Sequence, residues 1–164
     1  MPYEKIKALL ESSCAVLGEE EFELMGAATE DEIAAAEAAL GITFPPDYRR
    51  YLADYGAVVV EGLGIHGVFP GGDEEFPGVV EATCGFRTRG GPHHLLPIVT
   101  FEDCDFVLDL TPGRAVDNEP PALVWVAGVP AAEQFSEPWA WNFARLVERL
   151  FEELDLLPEG DDPG

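Results

Sequence analysis

The 164-residue chain carries 9 Lys and Arg against 32 Asp and Glu, which gives a formal net charge of −23 at pH 7. Its hydrophobic fraction of 47% is too high for an intrinsically disordered chain, and its length suits one domain with a sizeable core. The acidic excess works against direct binding of nucleic acid or anionic membranes. It favours either solubility alone or a basic protein partner, whose association it would accelerate.

The first 28 residues predict one helix and a connector. Ile6 and Leu10 belong to a series of apolar residues at helical spacing, which indicates an amphipathic helix over residues 3–17. The segment 18–28 follows as a charged connector. Because charged residues interrupt the apolar ones from the start, neither a signal peptide nor a membrane span is predicted, and the chain is expected in the cytoplasm.

Residues 29–56 predict two short helices joined by a proline elbow. Thr29 followed by Glu32 is a capping-box pattern, in which each residue can satisfy a backbone amide of the other at a helix start. A glycine ends this helix, as expected of a residue that tolerates positive φ. The prolines at 45–46 then open a second helix, which carries a stripe of tyrosines and also ends at a glycine.

Downstream of these helices, short runs of β-branched and aromatic residues indicate strands. The predicted strands are 58–60, 67–69, 96–101, 106–110 and 123–126. An acidic turn at 102–105 predicts a hairpin, and the Gly-rich segment 70–94 predicts a long loop excursion. A final helix begins at Phe143, and residues 158–164 are expected to form an acidic disordered tail. The order predicts an α+β fold, in which an antiparallel sheet is flanked by N-terminal helices and a C-terminal helix within a single domain, residues 1–157.

No pattern in the chain predicts a catalytic centre, a metal site or a cofactor. The glycines of GLGIHG have the spacing of a dinucleotide-binding turn, but no helix is predicted after them to present its amides to a phosphate. His93 and His94 are adjacent and would point to opposite faces of a strand, so a loop pair is favoured over joint metal ligation. Cys104 lies between two aspartates, which oppose thiolate formation.

Acidic loops and two tryptophans are the candidate partner-binding residues. Loops held by a rigid scaffold are where binding residues concentrate, although acidic clusters are also typical of a solvated face. The tryptophans, two residues apart beside the final helix, could anchor an interface or belong to the core. The candidate residues are Asp73, Glu74, Glu75, Glu102, Asp103, Asp105, Asp117, Glu119, Trp139 and Trp141.

Two stretches resemble the signature of the SUKH superfamily. They are T-x-x-E-I-x-x-x-E-x-x-L-G, from Thr29 to Gly41, and F-P-x-D-Y-x-x-Y-L with a following Y-G, which starts at Phe44. A Leu-Pro-Ile run at 96–98 and the helix from Phe143 follow in the family's order. This superfamily includes fungal cell-wall regulators and many bacterial immunity proteins of polymorphic toxin systems.

The resemblance implies a mixed α+β domain that works by binding and has no catalytic centre. In bacteria the implied partner is a cognate toxin domain, often a nuclease, which the immunity protein inhibits by covering its active surface. Because nucleases bind phosphates and tend to be basic, the acidic excess agrees with this partner. The alternative is a regulatory or scaffolding interaction domain, as in the fungal members. The Gly-rich segment 70–94 and the EDCD turn depart from the family's pattern.

Overall fold

The computed structural model describes residues 2–17, 22–60, 63–69, 78–116, 118–134 and 137–153. Its helices are α1 (Pro2–Leu17), α2 (Glu30–Leu40), α3 (Pro46–Tyr55), α4 (Val79–Thr88) and α5 (Phe143–Glu153). Its strands are β1 (Phe22–Leu24), β2 (Val58–Val60), β3 (Leu63–Ile65), β4 (Leu95–Thr100), β5 (Cys104–Asp109) and β6 (Ala122–Val126). Within these ranges no helix combines the length and the apolar character that a membrane crossing needs. The predicted tail, 158–164, lies outside the described residues.

The α2 helix begins as its sequence predicts. The Glu32 amide donates to Thr29 Oγ1 at 3.1 Å, and the Thr29 amide donates to the Glu32 carboxylate at 2.9 Å, which confirms the capping box. Gly41 ends the helix with φ of 69°, and its amide donates to the Glu37 carbonyl. The Glu37 carboxylate then accepts the Phe44 amide at 2.7 Å, so α2 also holds the elbow that leads into α3.

All strand pairing is antiparallel in the described part of the chain, and the strands form two three-stranded sheets, β1–β2–β3 and β4–β5–β6. The α+β prediction is confirmed, with two small sheets where one was expected. The sheets adjoin where the His66 amide donates to the Ile98 carbonyl at 2.7 Å. Ile98 lies at an irregularity between β4 and β5, which leaves its carbonyl available to the other sheet.

The strand predicted at 67–69 is wrong, because the strand in this region is β3, at 63–65. Residues 67–69 instead cross the end of α3, where the Val68 amide donates to the Gly56 carbonyl at 3.0 Å. A Cβ atom added to Gly67 would lie 1.7 Å from that carbonyl oxygen. The two glycines are therefore required by a close approach of two chain segments.

Two other segments differ from their predicted structure. The predicted loop 70–94 contains α4, whose buried residues Val79, Thr83 and Phe86 recur at helical spacing. Residues 70–77 lie outside the described part. The predicted connector 18–28 contains β1, which pairs with β2 and extends the first sheet.

The main core is centred on aromatic side chains of α3 and α5. The Phe143 ring packs against the rings of Tyr48 and Tyr51, with centroid distances of 5.3 and 5.4 Å. The two tyrosine hydroxyls donate to the carbonyls of His66 and Ile65, at 2.6 and 2.8 Å. The tyrosine stripe predicted from the sequence therefore both fills the core and bonds the end of β3 to α3.

A second, smaller core lies on the opposite face of the β4–β5–β6 sheet, beneath α4. It consists of the buried side chains Phe86, Leu95, Val107 and Leu123, with the partly buried Trp125. The Phe86 and Trp125 rings meet edge to face at 5.6 Å. A Cβ atom at Gly91 would lie 2.2 Å from the Phe86 ring, so this glycine allows the chain to turn tightly around α4's end.

The outer edge of β6 is bonded at both ends by the segment that precedes α5. At one end the Ala122 amide donates to the Ala140 carbonyl at 2.7 Å. At the other end the Gln134 side chain accepts the Val126 amide at 2.8 Å and donates to the Val126 carbonyl at 2.7 Å. A single side-chain amide thus makes the two hydrogen bonds that a neighbouring strand would make.

Candidate functional site

The candidate partner-binding residues are dispersed over the molecule. Asp73, Glu74, Glu75 and Asp117 lie outside the described residues. The others occupy the end of the β4–β5 hairpin, the start of α3 and the two sides of the segment that leads into α5.

The hairpin end, defined by Glu102 and Asp103, is exposed. The Phe101 amide donates to the Cys104 carbonyl at 2.8 Å, which closes the turn and confirms the predicted hairpin. Burial raises the pKa of the Cys104 thiol, and the charge of Asp103 raises it further. The hairpin end therefore presents two carboxylates to solvent beside a thiol that is disfavoured as a thiolate.

Asp105 does not lie at the hairpin end, where the sequence analysis placed it. It is the second residue of β5, and only 5% of it is exposed. Its carboxylate accepts a hydrogen bond from the Thr100 side chain and lies 3.6 Å from the Arg89 guanidinium. Burial is the largest influence and raises its pKa. The turn ends one residue earlier than predicted, so the alternation of the strand points Asp105 beneath α4.

Glu119 lies against the start of α3. Its carboxylate accepts the Asp47 amide at 3.2 Å, at a helix end where free amides favour an acceptor. Burial raises the pKa of Glu119 to about 7, and the Asp47 charge adds to this effect. β6 separates Glu119 from Asp103, and a strand of this length spans roughly 17 Å. The two acidic residues therefore belong to different surfaces.

The two tryptophans point in different directions. Trp139 is half-buried, with its ring 4.6 Å from the Phe106 ring and the Arg149 guanidinium 4.0 Å above it. Trp141 is 64% exposed. It lines a groove of about 510 Å³ between α1 and α5, together with Lys5 and Arg145. Trp139 thus supports the core, whereas Trp141 is available to a partner.

A cleft between α2 and α4 was missed by the sequence analysis. It has a volume of about 340 Å³ and is lined by Glu32, Glu81 and the partly buried Val68 and Val80, among others. The sequence offered no signal for it, because the segment that forms α4 was predicted to be a loop. The cleft combines apolar walls with carboxylates, an environment that attracts cationic groups.

The histidines and the other potential metal ligands are separated in the described ranges. Across residues 2–17, 22–60, 63–69, 78–116, 118–134 and 137–153, no three His, Cys, Asp or Glu side chains are grouped to hold a metal ion. His66 is buried, and its Nε2 atom lies 2.9 Å from Thr100 Oγ1. His93 and His94 are exposed in the turn before β4, as expected of a loop pair.

Comparison with known proteins places this chain in a family. No curated protein matches it. The crystal structure of a protein from Pseudomonas syringae pv. tomato is similar in fold, with 20% sequence identity and a TM-score of 0.59 over 82% of this chain and 94% of that one. The family model described as SUKH_5, SMI1-KNR4 cell-wall, matches residues 4–152. The chain therefore belongs to the SUKH_5 (SMI1-KNR4) family, as the signature between Thr29 and Gly56 predicted.

Proposed function

We propose that this protein is an immunity protein, which binds a cognate toxin and inhibits it by covering the toxin's active surface. The observation that carries the proposal is membership of the SUKH/SMI1-KNR4 family, which includes immunity proteins and is generally non-enzymatic. In this proposal the protein has no catalytic residue and needs no cofactor, and it acts in the cytoplasm of the cell that makes the toxin.

The charge of the chain supports a basic toxin, with a nuclease domain as the best fit. A nuclease must bind phosphates, so its active surface is expected to be cationic. A chain with a net charge of −23 would be drawn to that surface and would compete there with nucleic acid. The protein itself would contact neither nucleic acid nor a membrane.

Exposed members of the predicted set supply candidate contacts for this partner. Glu102 and Asp103 present carboxylates at the hairpin end, and Trp141 offers a large exposed aromatic surface. Aromatic side chains often anchor protein interfaces, whereas exposed charges mainly raise the association rate. We keep Asp73, Glu74, Glu75 and Asp117 as proposed contacts on the basis of sequence alone.

A second candidate function is a regulatory or scaffolding interaction domain. The description of the family as SMI1-KNR4 cell-wall favours this alternative. Such a protein would have the same fold and would also bind a protein, but it would protect no cell from a toxin. The two functions are therefore separated by a protection experiment.

The test is co-expression with the proteins encoded by the genes next to this one. We expect one of these proteins to be toxic alone and harmless when this chain is present, and the purified pair to form a complex that weakens as salt is raised. A catalytically inactive variant of the toxin serves as the control for the growth assay and as the reagent for binding. If no neighbouring product is toxic, or if this chain gives no protection, the immunity proposal is wrong.

A further inference from the structure

Helices α2 and α4 lie side by side and run in the same direction. Their first turns line the same cleft, through Glu32 and Glu81. At their other ends the Arg87 guanidinium, near the end of α4, donates to the carbonyl of Leu40 at 3.2 Å. Their outward sides therefore form one surface, the α2–α4 face, defined by Ala35, Ala39, Cys84, Gly85 and Thr88, all of which are exposed.

The α2–α4 face has no charge at its centre. One quarter of the chain's residues are charged, yet the five residues of this face are small and neutral. Depletion of charge at the centre with charge at the margin is the usual arrangement of a protein interface. Small side chains also let a partner approach the helix backbones closely. This arrangement distinguishes the α2–α4 face from the hairpin end, where both turn residues are acidic.

Gly85 supplies a second and independent observation. It lies inside α4, where glycine weakens a helix relative to alanine. A Cβ atom added to Gly85 would meet no atom within 4 Å, and its φ is not in the left-handed region. At Gly91 the fold itself requires glycine, because a Cβ there would collide with the Phe86 ring. The chain's own packing gives no reason for glycine at position 85, so its smoothness is available to an approaching partner.

The cleft lies at the end of the α2–α4 face where both helices begin. Among its described lining residues, the charged ones are Glu32 and Glu81, and Val68 and Val80 supply apolar wall. One Glu32 oxygen accepts the Thr29 amide, and the Glu81 residue is exposed. An apolar channel with carboxylates at its margin is complementary to an arginine or lysine, which has an apolar stem and a cationic head.

We propose that the α2–α4 face is the principal contact surface for a basic protein partner, and that the partner inserts an arginine or lysine side chain into the cleft between Glu32 and Glu81. The identification of this partner as a toxin rests on the proposed function. The preference of the cleft for a cation rests on the geometry of the cleft alone.

The first experiment measures the affinity of variants for the inactive toxin variant from the neighbouring gene. Gly85→Tyr fills the space above α4, and we expect it to weaken binding by at least about tenfold. Gly85→Ala should raise Tm because alanine favours the helix, so weaker binding by this more stable variant would not be a folding defect. Glu81→Lys should also weaken binding by about tenfold, because it places a cation at the cleft.

Two charge variants serve as matched controls for Glu81→Lys. Glu23→Lys makes the same charge change at an exposed position on β1, and we expect less than about a threefold effect. Glu102→Lys makes it at the hairpin end. If the wild-type chain binds the toxin, and if Gly85→Tyr and Glu81→Lys bind equally well while Glu102→Lys does not, the contact is at the hairpin end and the inference is overturned.

The second experiment needs no toxin. An arginine derivative with blocked amino and carboxyl groups is titrated into the chain, and backbone amide signals are followed by NMR. We expect shifts concentrated at Ala35, Val80 and Glu81, and loss of these shifts in Glu81→Gln. Shifts spread evenly over all acidic surfaces would overturn the inference. Localised shifts in a chain that protects against no neighbouring toxin would instead leave the cleft assigned and the immunity proposal rejected.

Discussion

The two faces of the β4–β5–β6 sheet are packed in different ways. One face joins the main core, where Phe106 and Leu108 of β5 lie with the aromatic side chains of α3 and α5. The other face, beneath α4, has only the small core around Phe86 and also buries the carboxylates of Asp105 and Asp109. Adjacent residues of one strand thus serve a large apolar core and a small, partly polar one.

This difference separates stability from adaptability. The large core buries many apolar side chains and should contribute most of the free energy of folding. The small core holds α4 with few apolar contacts, and elements held in this way are the ones that open or adjust most easily. The helix whose outer side we propose as a contact surface is therefore the one whose sequence is least constrained by the main core.

Replacing Phe143 by alanine should have the largest effect. The Phe143 ring is fully buried against Tyr48 and Tyr51, so Phe143→Ala should lower the free energy of unfolding by about 4 kcal/mol in chemical denaturation. Trp141→Ala, at an exposed position close by, is the control and should change it by less than about 0.5 kcal/mol. A loss under about 2 kcal/mol for Phe143→Ala would contradict the dominance of the main core.

Phe86→Ala should cost somewhat less, about 3 kcal/mol, because Trp125 is partly exposed and the small core can contract. The loss should be local. We expect hydrogen exchange to accelerate in α4 and to change little in α3. Equal acceleration in both helices would show that the two faces unfold as one unit and would remove the distinction between them.

Asp109 tests the polar part of the α4 side of the sheet. Its carboxylate accepts the Thr111 amide at 3.0 Å and the Arg114 guanidinium at 2.9 Å. Asp109→Ala removes this acceptor from a buried site and should lower the free energy of unfolding by about 2 kcal/mol. Asp109→Asn retains an acceptor oxygen and should cost less in the same urea titration. A neutral effect of the alanine variant would mean that this carboxylate does not stabilise the turn.

Asp105 should give this side of the sheet a weak pH dependence. Burial raises the Asp105 pKa above its usual value of 3.8, so the folded chain binds this proton more tightly than the unfolded chain does. The stabilisation from this proton is complete below the unfolded pKa and is lost as pH rises through the folded pKa. Asp105→Asn should therefore gain stability relative to wild type as pH rises from about 4 to 7. Parallel stability curves would contradict the assignment.

The parts of the fold that were predicted correctly are those specified by residues close in sequence. Thr29 and Glu32 are three residues apart, and the capping box they form needs no tertiary contact. The α4 helix was missed because glycines surround it and because its Phe86 stripe is recognisable only against the sheet. The strand was misplaced at 67–69 because the approach of Gly56 to Gly67 joins separate segments.

The candidate site was less predictable than the fold, because exposure depends on tertiary packing. Spacing alone showed that Trp139 and Trp141 would differ, but only the position of α1 decides which one is exposed. A shift of one residue at the hairpin moved Asp105 from the surface to the interior. The cleft needs α2 beside α4, and no local pattern records that neighbour.

The Gln134 side chain also bears on the behaviour of the protein at high concentration. An open strand edge can recruit a strand from another molecule and start an aggregate. By occupying the amide and carbonyl of Val126, Gln134 removes the site where such a strand would begin to add. Ala140 blocks the other end of β6 in the same way. The protein can therefore accumulate beside its own kind without its second sheet becoming a template for intermolecular growth.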